Sequence, residues 1–194
     1  KAKIKEPRFD WELPFLASTE DWIFPNTFKT LAEFAKFMYA ANTKPELEVY
    51  DAGMLSNIQF LIGSGVLKTP VHVQFVLGIL GGMQANVGNL VFLHESAERM
   101  LGAKNFTWSL SAAGRAQLPM MATAMAMGGN VRVGLEDNLY LGPGQLATTS
   151  AEQVERIVTI AKALSIEVAT PDEARAILGL KGQANVGWKL PAAA

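Results

Sequence analysis

Cysteine is absent from the chain, which excludes disulfides and thiolate metal sites and fits a cytoplasmic protein. Histidine occurs twice, at His72 and His94. Neither belongs to a His-x-His pair, and each reads as a satisfied core or surface residue rather than a metal ligand. No stretch reaches the ~18 uninterrupted apolar residues of a membrane span. No basic segment followed by an apolar run marks a secretory signal, so no membrane partner is expected. Neither sign of charge is in excess: the formal net charge is −1. Without a basic cluster there is no footprint for nucleic acid. No Gly-x-Gly-x-x-Gly follows a first strand, which weakens a dinucleotide-binding reading. The chain also begins at Lys1 rather than at a methionine.

What is present is largely apolar, 49% of 194 residues, and suits a single domain over residues 1–194. Lys1–Asp21, with Pro7, Pro14 and scattered aromatics, reads as irregular but packed. Trp22–Pro25 reads as a short strand, and Asn26 or Thr27 caps a helix carrying Leu31, Phe34, Ala35 and Met38. Glu46–Tyr50 is a strand, Met54–Ser64 a helix, and Val71–Leu77 a strand apolar enough to be covered on both faces. Gly78–Asn89 is a long glycine-rich loop, the kind that often serves function. Helix Phe92–Leu101, strand Phe106–Leu110 and turn Ser111–Gly114 follow. Arg115–Met127 is a helix broken near its start by Pro119. Leu141–Gly144 is a turn. Ser150–Gln153 and Thr170–Glu173 read as capping boxes, Gly179 ends the last helix, and residues 183–194 form an irregular tail. The alternation implies a parallel sheet with helices outside it. A doubly wound open sheet and part of a barrel both use this pattern.

The densest polar stretch is Gly128–Asn138, Gly-Gly-Asn-Val-Arg-Val-Gly-Leu-Glu-Asp-Asn. The two glycines stop a helix. Val131, Val133 and Leu135 then alternate with polar positions, as in a strand. Arg132, Glu136 and Asp137 fall at or beyond its carboxyl end, where parallel α/β proteins place their chemistry. A solvated strand end with an Arg–Asp surface pair is the alternative, since such pairs are common in loops. On period two, Arg132 and Glu136 face the same side. A carboxylate such as Glu136 suits a divalent ion.

Arg-Val-Gly-Leu-Glu-Asp-Asn after Gly-Gly resembles the signature of the β-keto acid cleavage enzyme family. Ser109–Pro119 and Lys44–Gly53 are similar to its pattern as well, and the resemblance covers most of the chain. It implies a (β/α)₈ TIM barrel of which this chain supplies about the last five βα units. A whole barrel takes ~250 residues, so an N-terminal segment is expected to be absent from the sequence.

The resemblance further implies a zinc-dependent, retro-Claisen cleavage of a β-keto acid with acetyl-CoA, giving acetoacetate and a new acyl-CoA. It makes Glu136 a zinc ligand beside a His-x-His pair that has no counterpart here, and Arg132 and Asp137 the acid–base pair. Such a cleavage needs a base, a Lewis acid and a cation for the anionic groups, and those residue types supply the first and the last. With acetyl-CoA as co-substrate, Ser111 and Arg115 become candidates for its phosphates, because late barrel loops often bind phosphate. Glu48 is a candidate supporting group. Another metal-dependent carbon–carbon lyase on the same scaffold, or a non-catalytic fragment or binding module, are the alternatives. Met120, Met121, Met125 and Met127 mark a buried packing helix. Together with the Trp188 tail, they also suggest a homo-oligomer.

Overall fold

The computed structural model describes residues 7–187. Its centre is a parallel sheet of four strands: β1 Glu46–Val49, β2 Val71–Leu77, β3 Phe106–Ala112 and β4 Asn130–Val131. They lie side by side in the order β1-β2-β3-β4. Helices α3 (Ala52–Gly63), α4 (Val87–Leu101) and α5 (Gln117–Ala126) connect them in turn. Two further helices come before β1, α1 (Glu12–Ser18) and α2 (Phe28–Ala40). A small hairpin follows β4, formed by β5 (Tyr140–Gly142) and β6 (Gln145–Leu146), and then α6 (Ser150–Ala163) and α7 (Pro171–Leu178). No helix among the described residues is long and apolar enough to cross a membrane.

The alternation of side chains along each strand separates two faces. Val73, Phe75 and Leu77 of β2 and Trp108 and Leu110 of β3 join the core with Leu55, Leu90, Leu93 and Met121 of the helices. The Phe75 and Trp108 rings lie 5.8 Å apart. The opposite face is polar: Glu46 and Glu48, His72 and Gln74, Thr107 and Ser109 stand in register across β1, β2 and β3. Every residue of β2 is buried, as expected for a strand covered on both sides.

The structure departs from the sequence reading at several elements, each for a local reason. Trp22–Pro25 is not a strand; Trp22, Ile23 and Phe24 are exposed, and no described neighbour offers a ladder. Part of the segment expected to be irregular is α1, followed by a 3-10 turn at Thr19–Asp21. Thr27, of the two candidate caps, accepts from the Thr30 amide at 3.1 Å. Helix α4 begins at Val87, five residues early, because Asn86 caps it and Gly88 is absorbed into its first turn. Pro119 breaks nothing: α5 begins at Gln117, so Pro119 sits in the first turn, where amides have no partner within the helix. The first capping box pairs Thr149 with Glu152, one residue before the expected start, whereas that of Thr170 and Glu173 is as read.

Strand β3 runs through Ser111, which is therefore not in a turn. The signature strand is short. After Arg132, whose amide still reaches the Leu110 carbonyl at 2.9 Å, the chain turns at Leu135–Asp137. There the Gly134 carbonyl accepts from the Asp137 and Asn138 amides. Met120, Met121 and Met125 are buried core residues, so α5 is a packing helix. Trp188 lies outside the described residues, and of the tail only residues 183–187 are described, with a 3-10 turn at Gln183–Asn185.

Candidate active site

Two glycines aim the site. Gly128 takes φ +81°, the left-handed conformation that closes α5. Gly129 lies against Trp108 so closely that a Cβ there would fall 2.3–2.5 Å from the indole ring. This contact brings Asn130 and Val131 alongside Ser109 and Leu110 of β3. Arg132 then emerges at the carboxyl end of β4.

The Arg132 guanidinium has five N–H groups, and each of its three nitrogens is engaged. Nε donates to Asp137 Oδ2 at 3.2 Å and Nη2 to Asp137 Oδ1 at 3.0 Å, a bidentate pair. Nη2 also reaches Glu136 at 3.1 Å. Nη1 donates to Gln74 Oε1 at 2.8 Å and to Glu48 Oε1 at 3.2 Å. The hydrogen bond and charge of Asp137 raise the Arg132 pKa further, so the cation is permanent. Charge-assisted bidentate pairs of this kind fix geometry as well as adding energy. Exposure separates the two neighbouring carboxylates: the Asp137 side chain is 8% exposed and that of Glu136 is 85%.

A second layer of polar groups holds this cluster from below. Gln74, 3% exposed, donates from Nε2 to Glu46 at 3.0 Å and to Ser109 Oγ at 3.2 Å. Tyr50 donates its hydroxyl to Glu48 at 2.6 Å. Burial, then that hydrogen bond, pushes the phenol up to about 12, so it remains a donor. The His72 ring lies between Thr107 Oγ1 (2.8 Å) and Ser109 Oγ (3.1 Å), with Glu46 at 3.4 Å. Burial, and next the charge of Lys44, lowers the His72 pKa; burial, and next Glu48, raises that of Glu46. His94 is in mid-helix, with its ring 4.8 Å from that of Trp108. Both histidines thus have structural partners.

Arg132, Glu136 and Asp137 come together as the sequence suggested, although a turn and not a continued strand brings Glu136 round. Glu48 joins them from β1. Ser111 and Arg115, expected as a pair, part company. Ser111 is fully buried in β3, on the same face as Ser109, and its Oγ has no partner. Arg115 is exposed on a 3-10 turn, Gly114–Ala116, and lines a separate cleft. The two regions are joined by the Gly114 amide, which donates to the Asp137 carbonyl at 2.7 Å. Asp51, at the end of β1, is occupied as the cap of α3.

Sequence reasoning passed over Gln74. The signal was there, in two polar residues spaced by two within an otherwise apolar strand, which mark one polar face. Among the described residues, no group of three or more His, Cys, Asp or Glu is arranged to hold a metal ion.

Residues 5–180 match the family of β-keto acid cleavage enzymes. The chain is 40% identical over 186 residues to the 3,5-dioxohexanoate:acetyl-CoA acetone transferase of Paraburkholderia graminis, covering 96% of this chain and 60% of that protein. It is 45% identical over 161 residues to the 3-keto-5-aminohexanoate cleavage enzyme of Fusobacterium nucleatum, covering 83% and 57%. The enzyme of the same name from Acetoanaerobium sticklandii is 42% identical over 160 residues, covering 82% and 57%. The chain therefore spans about three fifths of the length of these relatives.

Proposed function

The chain belongs to the β-keto acid cleavage enzyme family, and from that premise we propose that the protein cleaves a β-keto acid with acetyl-CoA, giving acetoacetate and a new acyl-CoA. The observation that carries the reading is the largely buried Asp137 carboxylate, held in a bidentate grip by Arg132 at the carboxyl end of a parallel strand. The reaction needs a base for the proton between ketone and carboxylate of the keto acid, and Asp137 is that base. With its three nitrogens already engaged, Arg132 acts through Asp137 and Glu48 and is a positioning residue. Gln74 holds the guanidinium itself and Tyr50 holds Glu48. Ser111, with a buried and unpartnered hydroxyl on the same face, is a donor for the acyl-CoA, and Arg115 is a contact for its phosphates.

The barrel belongs to the same proposal. Four parallel strands in sequential order, without the reversal that a doubly wound sheet has at its switch point, support it. Zinc comes with the family resemblance, with Glu136 as a ligand. The described residues include no set of three ligands around Glu136, so they do not fit zinc by themselves, and none of the roles above uses it. A homo-oligomer and a cytoplasmic location complete the reading; light scattering on the full-length protein tests the first.

The test is turnover by the full-length enzyme on a panel of β-keto acids with acetyl-CoA, following acetoacetate and the new acyl-CoA by mass spectrometry. Asp137→Asn keeps shape but cannot accept the proton, and should lose ~10²–10⁴-fold in kcat. A variant within twofold of the wild type makes Asp137 a structural ion-pair partner. In the same preparations Glu136→Gln should lower zinc content; full zinc in that variant removes Glu136 from the metal.

A further inference from the structure

A cleft of about 670 Å³ opens between α5, the β5–β6 hairpin and α6. Its walls are mostly apolar, with Leu118 from α5, Tyr140 from the hairpin and Ile160 from α6. Two arginines enter it, Arg115 from the 3-10 turn before α5 and Arg156 from α6. No acidic side chain lines the cleft, and neither arginine forms an ion pair among the described residues. Arg156 leans on the hairpin, where a Cβ at Gly142 would lie 3.6 Å from its Nη1. The Asn138 side chain, also in the lining, is already engaged: Nδ2 donates to the Tyr140 carbonyl at 2.7 Å and Oδ1 accepts from the Tyr140 amide at 3.1 Å. Among the described residues the cleft therefore presents two guanidinium groups without an acidic partner, between mostly apolar walls.

Such a lining is complementary to a phosphorylated aromatic ligand. Guanidinium forks match phosphate oxygens bidentately, and a purine can lie on Tyr140 and the aliphatic walls. The cleft also adjoins the reacting groups. Asn138 follows Asp137 in the chain, and the Asp137 carbonyl is bonded to the Gly114 amide beside Arg115. Resting on the reading that acetyl-CoA is the co-substrate, we propose that this cleft seats the phosphorylated adenosine end of the CoA thioester, with Arg115 and Arg156 on its phosphates. The thioester arm then passes Asn138 to reach the Asp137 side of the same segment. Arg156 is thereby a binding residue that the sequence signature does not contain.

The experiment compares acetyl-CoA with acetyl-pantetheine, which lacks the nucleotide, in the full-length enzyme and in Arg115→Met, Arg156→Met and the double variant. Binding of adenosine 3′,5′-bisphosphate is measured alongside by calorimetry. Loss of one charge-assisted phosphate contact should raise KM for acetyl-CoA about ten- to a hundredfold. The advantage of acetyl-CoA over acetyl-pantetheine should shrink by the same factor, and the bisphosphate should bind correspondingly more weakly. If wild-type enzyme turns over acetyl-CoA but neither variant changes that ratio, the nucleotide lies elsewhere and the cleft assignment is overturned while the function stands. If the wild type neither binds CoA nor turns over acetyl-CoA, the functional reading itself fails and takes this one with it. Should a methionine variant fold poorly, Arg156→Gln, which keeps length and polarity without the charge, is read in the same two assays.

Discussion

Replacing Arg132 by lysine tests whether the guanidinium works through geometry or through charge alone. In the structure it serves four groups: both oxygens of Asp137, then Glu136, Glu48 and Gln74. A lysine ammonium has three donors on a flexible stem, so at least two of those five contacts are lost. The bidentate hold on Asp137 cannot be kept, because it needs a planar fork. A catalytic group displaced by ~1 Å can cost about 10²-fold. Arg132→Lys is therefore expected to lose about that factor in kcat, with KM changing far less. Arg132→Met also removes the cation from among three carboxylates and should fall in the ~10²–10⁴-fold range of an absent base. It further strands the Gln74 oxygen, 3% exposed as a residue, at a cost of about 1–3 kcal/mol in stability. The assay is steady-state kinetics on the full-length enzyme, with urea midpoints as the control for folding. Groups that act as a unit share one loss, so Arg132→Met combined with Asp137→Asn should be little slower than Asp137→Asn alone. Lysine within twofold of wild type, or losses that multiply in the double variant, would refute the positioning role.

The Trp108 ring leaves no room for a side chain at residue 129, so Gly129→Ala should lower Tm by several degrees, for about 1–3 kcal/mol of overpacking; an unchanged Tm means the indole moves freely. The lowered pKa of His72 makes a pH prediction. A group whose folded value is depressed contributes stability above its unfolded value, ~6.5, and loses it as pH falls through the folded value. Glu46, raised by burial, acts in the opposite sense, losing its contribution as pH rises past the carboxylate range. His72→Gln should therefore flatten the fall of the urea midpoint below pH ~6.5; equal slopes in both proteins would assign that fall to other groups.

The sequence by itself determined the α/β class of fold and picked out the polar cluster of the candidate site. Period-two strands alternating with helices, glycines at helix ends and polar caps act over a few residues, so they are legible in a linear string. Arg132, Glu136 and Asp137 also lie within six positions, and their proximity needed no tertiary contact. Local pattern misled where a second strand decides the outcome. Trp22–Pro25 has the composition of a strand but no ladder beside it among the described residues, whereas β3 continues through Ser111 because β2 runs parallel to it as far as Leu77. Only the tertiary structure brought Glu48 and Gln74, 84 and 58 residues away in sequence, onto the Arg132 guanidinium, separated Ser111 from Arg115, and set Arg156 beside Arg115 in one cleft. Hydrogen bonds between adjacent strands and the packing of α6 against α5 depend on register and burial, quantities that no spacing within a single segment records.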